Sequence, residues 1–384
     1  MNEDKASRYH RAKRRAALVS IGLTTLLLAA VLWSGASVWL ADRVRTLWGA
    51  GAGSFSALTV AAYVLVLALA YEMLALPIAV YYGYRLDRRY GLSAETFAAW
   101  IRDRAKAAAL GLLLAMTGAE VVIAAIHIFP RWWWLVSAAA FSIAMYGLAT
   151  LAPVALLPLF YRFAPLGRES LRTRLIALSG RAGVPVLGVY EWALGQKTRR
   201  ANAALVGVGR TRRILLSDTL LAEYSDDEIE VILAHEIGHH VHGDIRRGLV
   251  AETVLLSAAF YAAAIALAAS WERFGMRGPD DPAVLPLLLL AGGGLTMAAT
   301  PAVNAWSRRN ERRADRFALT VTQHPAAFIS AMKRLATQNL AEERPSPAAV
   351  WLFHTHPSID QRIEAAQAFS VDPPADPSAV PVVR

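Results

Sequence analysis

The sequence predicts a mainly α-helical, polytopic membrane protein of about six transmembrane helices, with a polar domain that carries a small β-sheet and a metal site. Three observations predict it. Of 384 residues, 55% are hydrophobic and only 18% charged, against about 25% charged in an ordinary soluble domain. Six apolar runs are long enough to cross a hydrocarbon core of about 30 Å. One capped helix carries the pattern His235-Glu236-Ile237-Gly238-His239. The chain has no cysteine, which excludes disulfides and thiolate metal sites. The net charge of +10 is read as membrane topology and contact with anionic lipids. No nucleic-acid-binding motif accompanies it, so nucleic acid is not an expected partner.

Residues 1–15 hold Lys5, Arg8, Arg11, Lys13, Arg14 and Arg15. Spans are then expected over 16–40, 57–82, 107–129 and 134–159, the last entered through Trp132, Trp133 and Trp134 as an interfacial belt. These four make an N-terminal membrane region, residues 1–159. A second region, 160–370, holds the polar domain and two further spans, 249–269 and 284–306, with Gly292-Gly293-Gly294 suited to close helix contact. The proline-rich tail, 371–384, is expected to be disordered. Lys and Arg alternate between the connections: Arg43 and Arg45 in the first, six between Arg85 and Lys106 in the second, Arg131 alone in the third. That alternation puts the N-terminus in the cytoplasm of an integral, multi-pass membrane protein, and with it residues 160–247 and the segment after the sixth span.

Glu72 and Glu120 lie inside spans, where an acid either lines a polar cavity or is held neutral between helices. His127 reads as interfacial, His10 and His324 as solvated. In the polar domain a helix is expected over 171–182 and a weakly alternating strand over 186–192. Residues 203–208 and 213–216 form a hairpin around Gly209-Arg210-Thr211. The edge of such a sheet can hold an extended peptide by main-chain hydrogen bonds; alternatively the hairpin only packs the neighbouring helix. A helix continues past Asp315, and another follows Pro325, over 326–339.

The metal site rests on two segments. Ser225 followed by Glu228 is a capping box, and Asp226, Asp227 and Glu228 suit the positive end of the helix dipole. His235 and His239, four residues apart, leave one face of that helix and reach one metal ion. Glu236 beside them is placed to take a proton from water that the ion activates. Glu311 is the candidate third ligand, and Asp315, one turn later, a carboxylate to orient a ligating imidazole. His240 and His242 point off the ligand face. One Zn2+ per chain is the expected cofactor.

These residues resemble the membrane-embedded zinc metallopeptidases that include the type I CAAX prenyl endopeptidase and HtpX, of gluzincin type. Asn202 to Leu221 resembles the family's substrate-side strand and hairpin. Ser307 to Asp315 resembles its third-ligand motif, and Thr355 to Ile363 its His-Pro segment. Leu76-Pro77, Tyr90-Gly91-Leu92-Ser93 and Trp100 resemble the prenyl-endopeptidase branch. The resemblance implies zinc on His235, His239 and Glu311, with Glu236 as general base and Asp315 as orienting or proton-transferring group. It implies that His356, with Arg362, stabilises the oxyanion, and that Asn202 and the Ala203 strand bind the substrate backbone. It further implies a helical chamber and a peptide or protein substrate, membrane-associated or lipidated. The eukaryotic prenyl endopeptidase has seven spans, one more than is counted here. The alternatives are HtpX-like quality control of membrane proteins, a non-catalytic scaffold, and a transporter using Glu72 and Glu120.

Overall fold

The computed structural model describes residues 5–47, 56–207 and 209–371, apart from the side chains of residues 153, 154 and 210. All of the expected tail except Val371 lies outside the described residues, as does Val208 of the hairpin. Six helices among the described residues are long and apolar enough to cross a membrane. They fall where the apolar runs predict, with different ends. The first, α1 (Lys5–Trp33), starts inside the basic stretch. It stops at Ser34-Gly35, where Gly35 takes a φ of 75°, a conformation a side chain disfavours. Residues 36–40, expected in the first span, therefore belong to α2 (Ala36–Leu47).

α3 (Ala57–Ile78), capped by Ser56, runs on through a π-helical stretch, Ala79–Arg85, into α4 (Leu86–Arg89). α5 (Phe97–Ile128) begins ten residues ahead of the expected span, on a Thr96 cap. α6 (Trp133–Leu151) ends early, and Ala152–Leu159 continues as π and 3-10 turns around Pro153 and Pro158.

The polar domain follows. Its elements are β1 (Phe163–Pro165), α7 (Glu169–Arg181), β2 (Val189–Trp192), β3 (Ala203–Val206), β4 (Arg213–Ser217), α8 (Asp218–Glu223) and α9 (Asp226–Val241). The sheet order is β1-β2-β4-β3. The expected hairpin is present, Ala203 opposite Leu216, and β4 also pairs in parallel with β2. β1 is an addition to the expected strands: three residues ending in proline show no alternation to read.

α10 (Asp244–Ser270) and α11 (Leu285–Thr322) return through the membrane region. α11 carries both the sixth apolar run and Glu311 and Asp315 on one uninterrupted helix. α12 (Pro325–Asn339), α13 (Pro347–Phe353) and α14 (Ile359–Val371) close the chain, the last two beyond the expected elements.

The two halves are built differently. In the polar half, α9 packs against α7, β3, α11 and α12. Leu175, Ile214, Ile229, Leu233, Ile237 and Phe328 are fully buried there. In the membrane half, α1 packs on α3, α3 on α5, α5 on α6, α6 on α10, α10 on α11, and α11 again on α1. This closed ring surrounds a cavity of about 540 Å³, to which the six helices contribute Leu28, Leu67, Leu114, Phe141, Phe260 and Leu288 in turn. The intramembrane acids do not line this cavity. Glu72 pairs with Arg104 at 2.6 Å, and Glu120 keeps one buried oxygen without a hydrogen-bond partner. His10 is not solvated: its Nε2 lies 2.7 Å from the Leu340 carbonyl. The basic N-terminal end of α1 thus touches the polar domain, and the two lie on one side. On the opposite side His127 meets Asp280 at 2.8 Å.

Candidate metal centre

α9 starts with both arms of its capping box formed: the Ser225 hydroxyl accepts from the Glu228 amide, and the Glu228 carboxylate from the Ser225 amide. The other oxygen of Glu228 accepts from Ser330 at 2.5 Å and Arg334 at 2.9 Å, both on α12. Its carboxyl is held below the usual range because these bonds outweigh burial, which acts the other way. Further along, Gly238 faces α11. A Cβ there would come within 3.2 Å of Ala314 Cα and of the Phe317 ring, so glycine allows the two ligand-bearing helices to cross this closely.

That crossing brings His235, His239 and Glu311 together, the group among the described residues placed to hold a metal ion. His235 Nε2 lies 3.3 Å from His239 Nε2. Glu311 Oε2 lies 3.2 Å from His235 Nε2, and Oε1 3.5 Å from His239 Nε2. Zinc–nitrogen bonds of about 2.0–2.1 Å at tetrahedral angles separate neighbouring ligand atoms by about 3.3 Å. The triangle has the size the ion needs.

The donor chemistry agrees. His235 Nδ1 meets Asp315 Oδ1 at 2.8 Å, and His239 Nδ1 meets Asp244 Oδ2 at 3.0 Å. A carboxylate only accepts, so each Nδ1 carries the proton and each Nε2 presents a lone pair. Two lone pairs and a carboxylate then face one another, and buried Glu311 Oε2 has no hydrogen-bond partner. Three acceptors without a donor require a cation. The pull toward positive charge also appears at His235. Without an ion a proton on Nε2 would meet the same demand: burial lowers the proton affinity of His235, yet the Asp315 and Glu311 carboxylates beside it win and raise its pKa to about 9.

Asp244 is a site residue that the sequence does not single out. It sits in the first turn of α10 after Gly243, which turns the chain at φ 66°, and it also holds Arg313 of α11. Its signal is a carboxylate five residues beyond His239, readable only once the α9–α10 turn is known. Asp315, expected to orient a ligand, lies against His235. It also receives Arg362 through two bonds, at 2.5 and 2.9 Å. The family resemblance puts Arg362 at the substrate; its guanidinium instead sits behind His235, with its Nη2 3.4 Å from Nδ1.

Glu236 lies next to the triad, and burial pushes its carboxyl above the usual range, against the pull of His235 and His239. His356 reaches the site from the segment before α14, with Nε2 3.3 Å from Glu311 Oε1. Its Nδ1 lies 2.9 Å from the Thr355 hydroxyl; with that hydroxyl donating, Nε2 carries the ring proton. His240 points away, as expected, and its Nε2 donates to the Leu205 carbonyl at 3.1 Å.

β3 is an edge strand. Asn202 exchanges main-chain and hydroxyl bonds with Ser217. By the alternation of an antiparallel ladder, the Ala203 amide and carbonyl therefore face the open edge.

Comparisons with known proteins bear on both halves. A profile described as peptidase family M48 matches residues 165–370. A second, described as CAAX prenyl protease N-terminal, five membrane helices, matches residues 2–162, where four candidate spans and the short α2 lie among the described residues. "Uncharacterized metalloprotease YhfN" of Bacillus subtilis is 30% identical over 94% of this chain and 84% of its own length. "Probable CAAX prenyl protease 1" of Schizosaccharomyces pombe is 26% identical over 77% of this chain and 62% of its own length. In fold, the crystal structure of S. mikatae Ste24p matches with a TM-score of 0.84 at 21% identity, covering 94% of this chain and 88% of that one.

Proposed function

The chain belongs to peptidase family M48, as a membrane metallopeptidase of the CAAX prenyl protease type, and from that premise we propose the following site and reaction. His235, His239 and Glu311 hold one zinc ion, and Glu236, His356 and the β3 edge complete a peptidase site facing the cytoplasm. The observation that carries this is the convergence of three acceptor groups, two buried and one half-buried, with no donor among them. The bound ion supplies Lewis acidity toward the scissile carbonyl and a lower pKa for water.

The protein's own groups do the rest. The Ala203 amide and carbonyl take the substrate backbone as an added strand. Glu236, with a carboxyl raised by burial, accepts the proton of the attacking water and passes it to the leaving amine. The Nε2–H of His356 donates to the oxygen that gains charge. Asp315 and Asp244 keep both ligating rings in one tautomer, and Arg362 fixes Asp315. Orientation follows from the alternation of basic connections and from the contact of the basic end of α1 with the polar domain. Exposed Arg8 on that end suits anionic lipid headgroups.

The ring supports a reading of the substrate class. Relatives carry the name CAAX prenyl protease, and an apolar cavity of about 540 Å³ is in the range of ligand pockets, about 300–1,000 Å³. Peptides with a covalent lipid place the chain there while the polypeptide reaches Glu311 along α11. Glu236→Gln is expected to keep zinc and lower cleavage by about 10²–10⁴-fold. Filling the cavity with Ala68→Phe or Thr296→Phe raises KM for a farnesylated peptide and leaves the unlipidated peptide unchanged. Equal effects on both peptides would remove the lipid from the assignment; zinc lost in Glu236→Gln would remove Glu236 from its role.

A further inference from the structure

The segment that delivers His356 is not part of the α9–α11 crossing, and something must hold it opposite Glu311. One anchor is on α11 itself. Asn304 donates to the Leu352 carbonyl at 2.9 Å, and Arg308 to the carbonyls of Val350 at 3.0 Å and His354 at 2.6 Å. The Leu352 and His354 carbonyls lie at and just past the end of α13, where no further turn supplies a donor; the Val350 carbonyl also accepts from the His354 amide. Arg308 is one turn before Glu311, so the ligand helix also holds the C-terminal end of α13.

The other anchor comes from the far end of the sequence. Arg14, on the basic overhang of α1, bonds Glu342 at 2.5 Å. Glu342 lies ahead of α13, its side chain only 6% exposed, and its carboxylate is 3.8 Å from His354 Nε2. His10, one turn before Arg14, meets the carbonyl of Leu340, a residue held at a φ of 51°. Arg14, Glu342, His354 and His356 line one cleft of about 530 Å³, together with Arg362. Through Glu342 the N-terminal helix is thus tied to the start of the segment carrying His356, and the same carboxylate lies beside His354, two residues before His356.

We infer that the cytoplasmic overhang of α1 is part of the active site, and that Arg14, through Glu342, is a positioning residue for His356. The inference rests on the reading of His356 as the oxyanion donor. It gives the basic N-terminal stretch a task besides topology: Arg14 is committed to a partner within the protein, while neighbouring Arg15 is exposed and makes no ion pair among the described residues.

The test uses the full chain in nanodiscs and a peptide substrate. Arg14→Ala is expected to lower kcat about tenfold, since small misplacements of a catalytic group are costly, with KM within about twofold and zinc content unchanged. Arg14→Lys restores most of kcat. Glu342→Gln lowers kcat as far as Arg14→Ala does, and the double variant is no worse than either alone. Amide exchange of residues 347–358 quickens in both single variants. Arg15→Ala, which removes the same charge from the same turn, changes none of these. A wild-type kcat in Arg14→Ala, equal losses in Arg14→Ala and Arg15→Ala, or additive losses in the double variant would overturn the inference alone, provided His356→Ala is itself impaired. An unimpaired His356→Ala would instead sink the role given to His356, and this inference with it.

Discussion

The polar half and the membrane half of this protein use apolar residues in opposite ways. Around α9 the side chains meet and fill space: Leu233 and Ile237 have no exposure, and the groups they support sit within a few tenths of an ångström of tetrahedral spacing. Around the membrane cavity they form a wall: Leu28 and Leu288 are covered by neighbours yet border open volume. A site that must hold three atoms at about 3.3 Å from one another needs the first kind of packing. The lipid chamber proposed above needs the second. α11 belongs to both, so its Leu288 looks into the cavity and its Glu311 into the metal site.

The sharpest test of that contrast replaces the same residue type in each half. Leu233→Ala opens a hole in a filled core and is expected to cost about 2–5 kcal/mol. Leu288→Ala enlarges a space already open, forfeits fewer contacts, and costs about 1 kcal/mol. Thermal unfolding of both variants in one detergent compares them, and equal losses would break the distinction.

Next in size is the support behind the ligands. Asp244→Asn keeps the shape but weakens the hold on His239 Nδ1, and zinc affinity is expected to fall about 10–100-fold, read by competition with a chelator. An unchanged affinity would make Asp244 a partner of Arg313 only.

The smallest effect concerns the start of α9. Glu228→Gln removes the charge that Ser330 and Arg334 bind, at a cost of about 1 kcal/mol. The folded carboxyl lies below its ordinary value of 4.5. Its stabilisation is therefore full above that value and lost as pH falls through the folded one. The gap in melting temperature between wild type and variant narrows as pH falls below 4.5 and closes once the folded carboxyl is protonated; a gap that persists beyond that would assign it to shape instead of charge.

Much of the site is legible in the amino-acid sequence because its parts obey local rules. A capping box fixes where α9 begins, helical periodicity puts His235 and His239 on one face, and the same periodicity sets Asp315 one turn beyond Glu311. The six apolar runs are legible for a similar reason, since length and composition suffice. Their ends are not: the break at Gly35 and the merging of the sixth run with the Glu311 segment depend on neighbours. Asp244 escapes because its value depends on the turn at Gly243. Arg362 reads as a substrate residue because a lone arginine near a catalytic histidine does not announce its partner; Asp315 takes both of its bonds. His10 reads as solvated because nothing in the sequence links it to Leu340, 330 residues away.

Zinc content per chain, measured by elemental analysis on wild type and Glu311→Ala purified alike, bears most directly on the account. One equivalent in wild type and almost none in Glu311→Ala is the result predicted. A full equivalent retained without the Glu311 carboxylate would contradict it, because the two histidines would then be completing their site elsewhere.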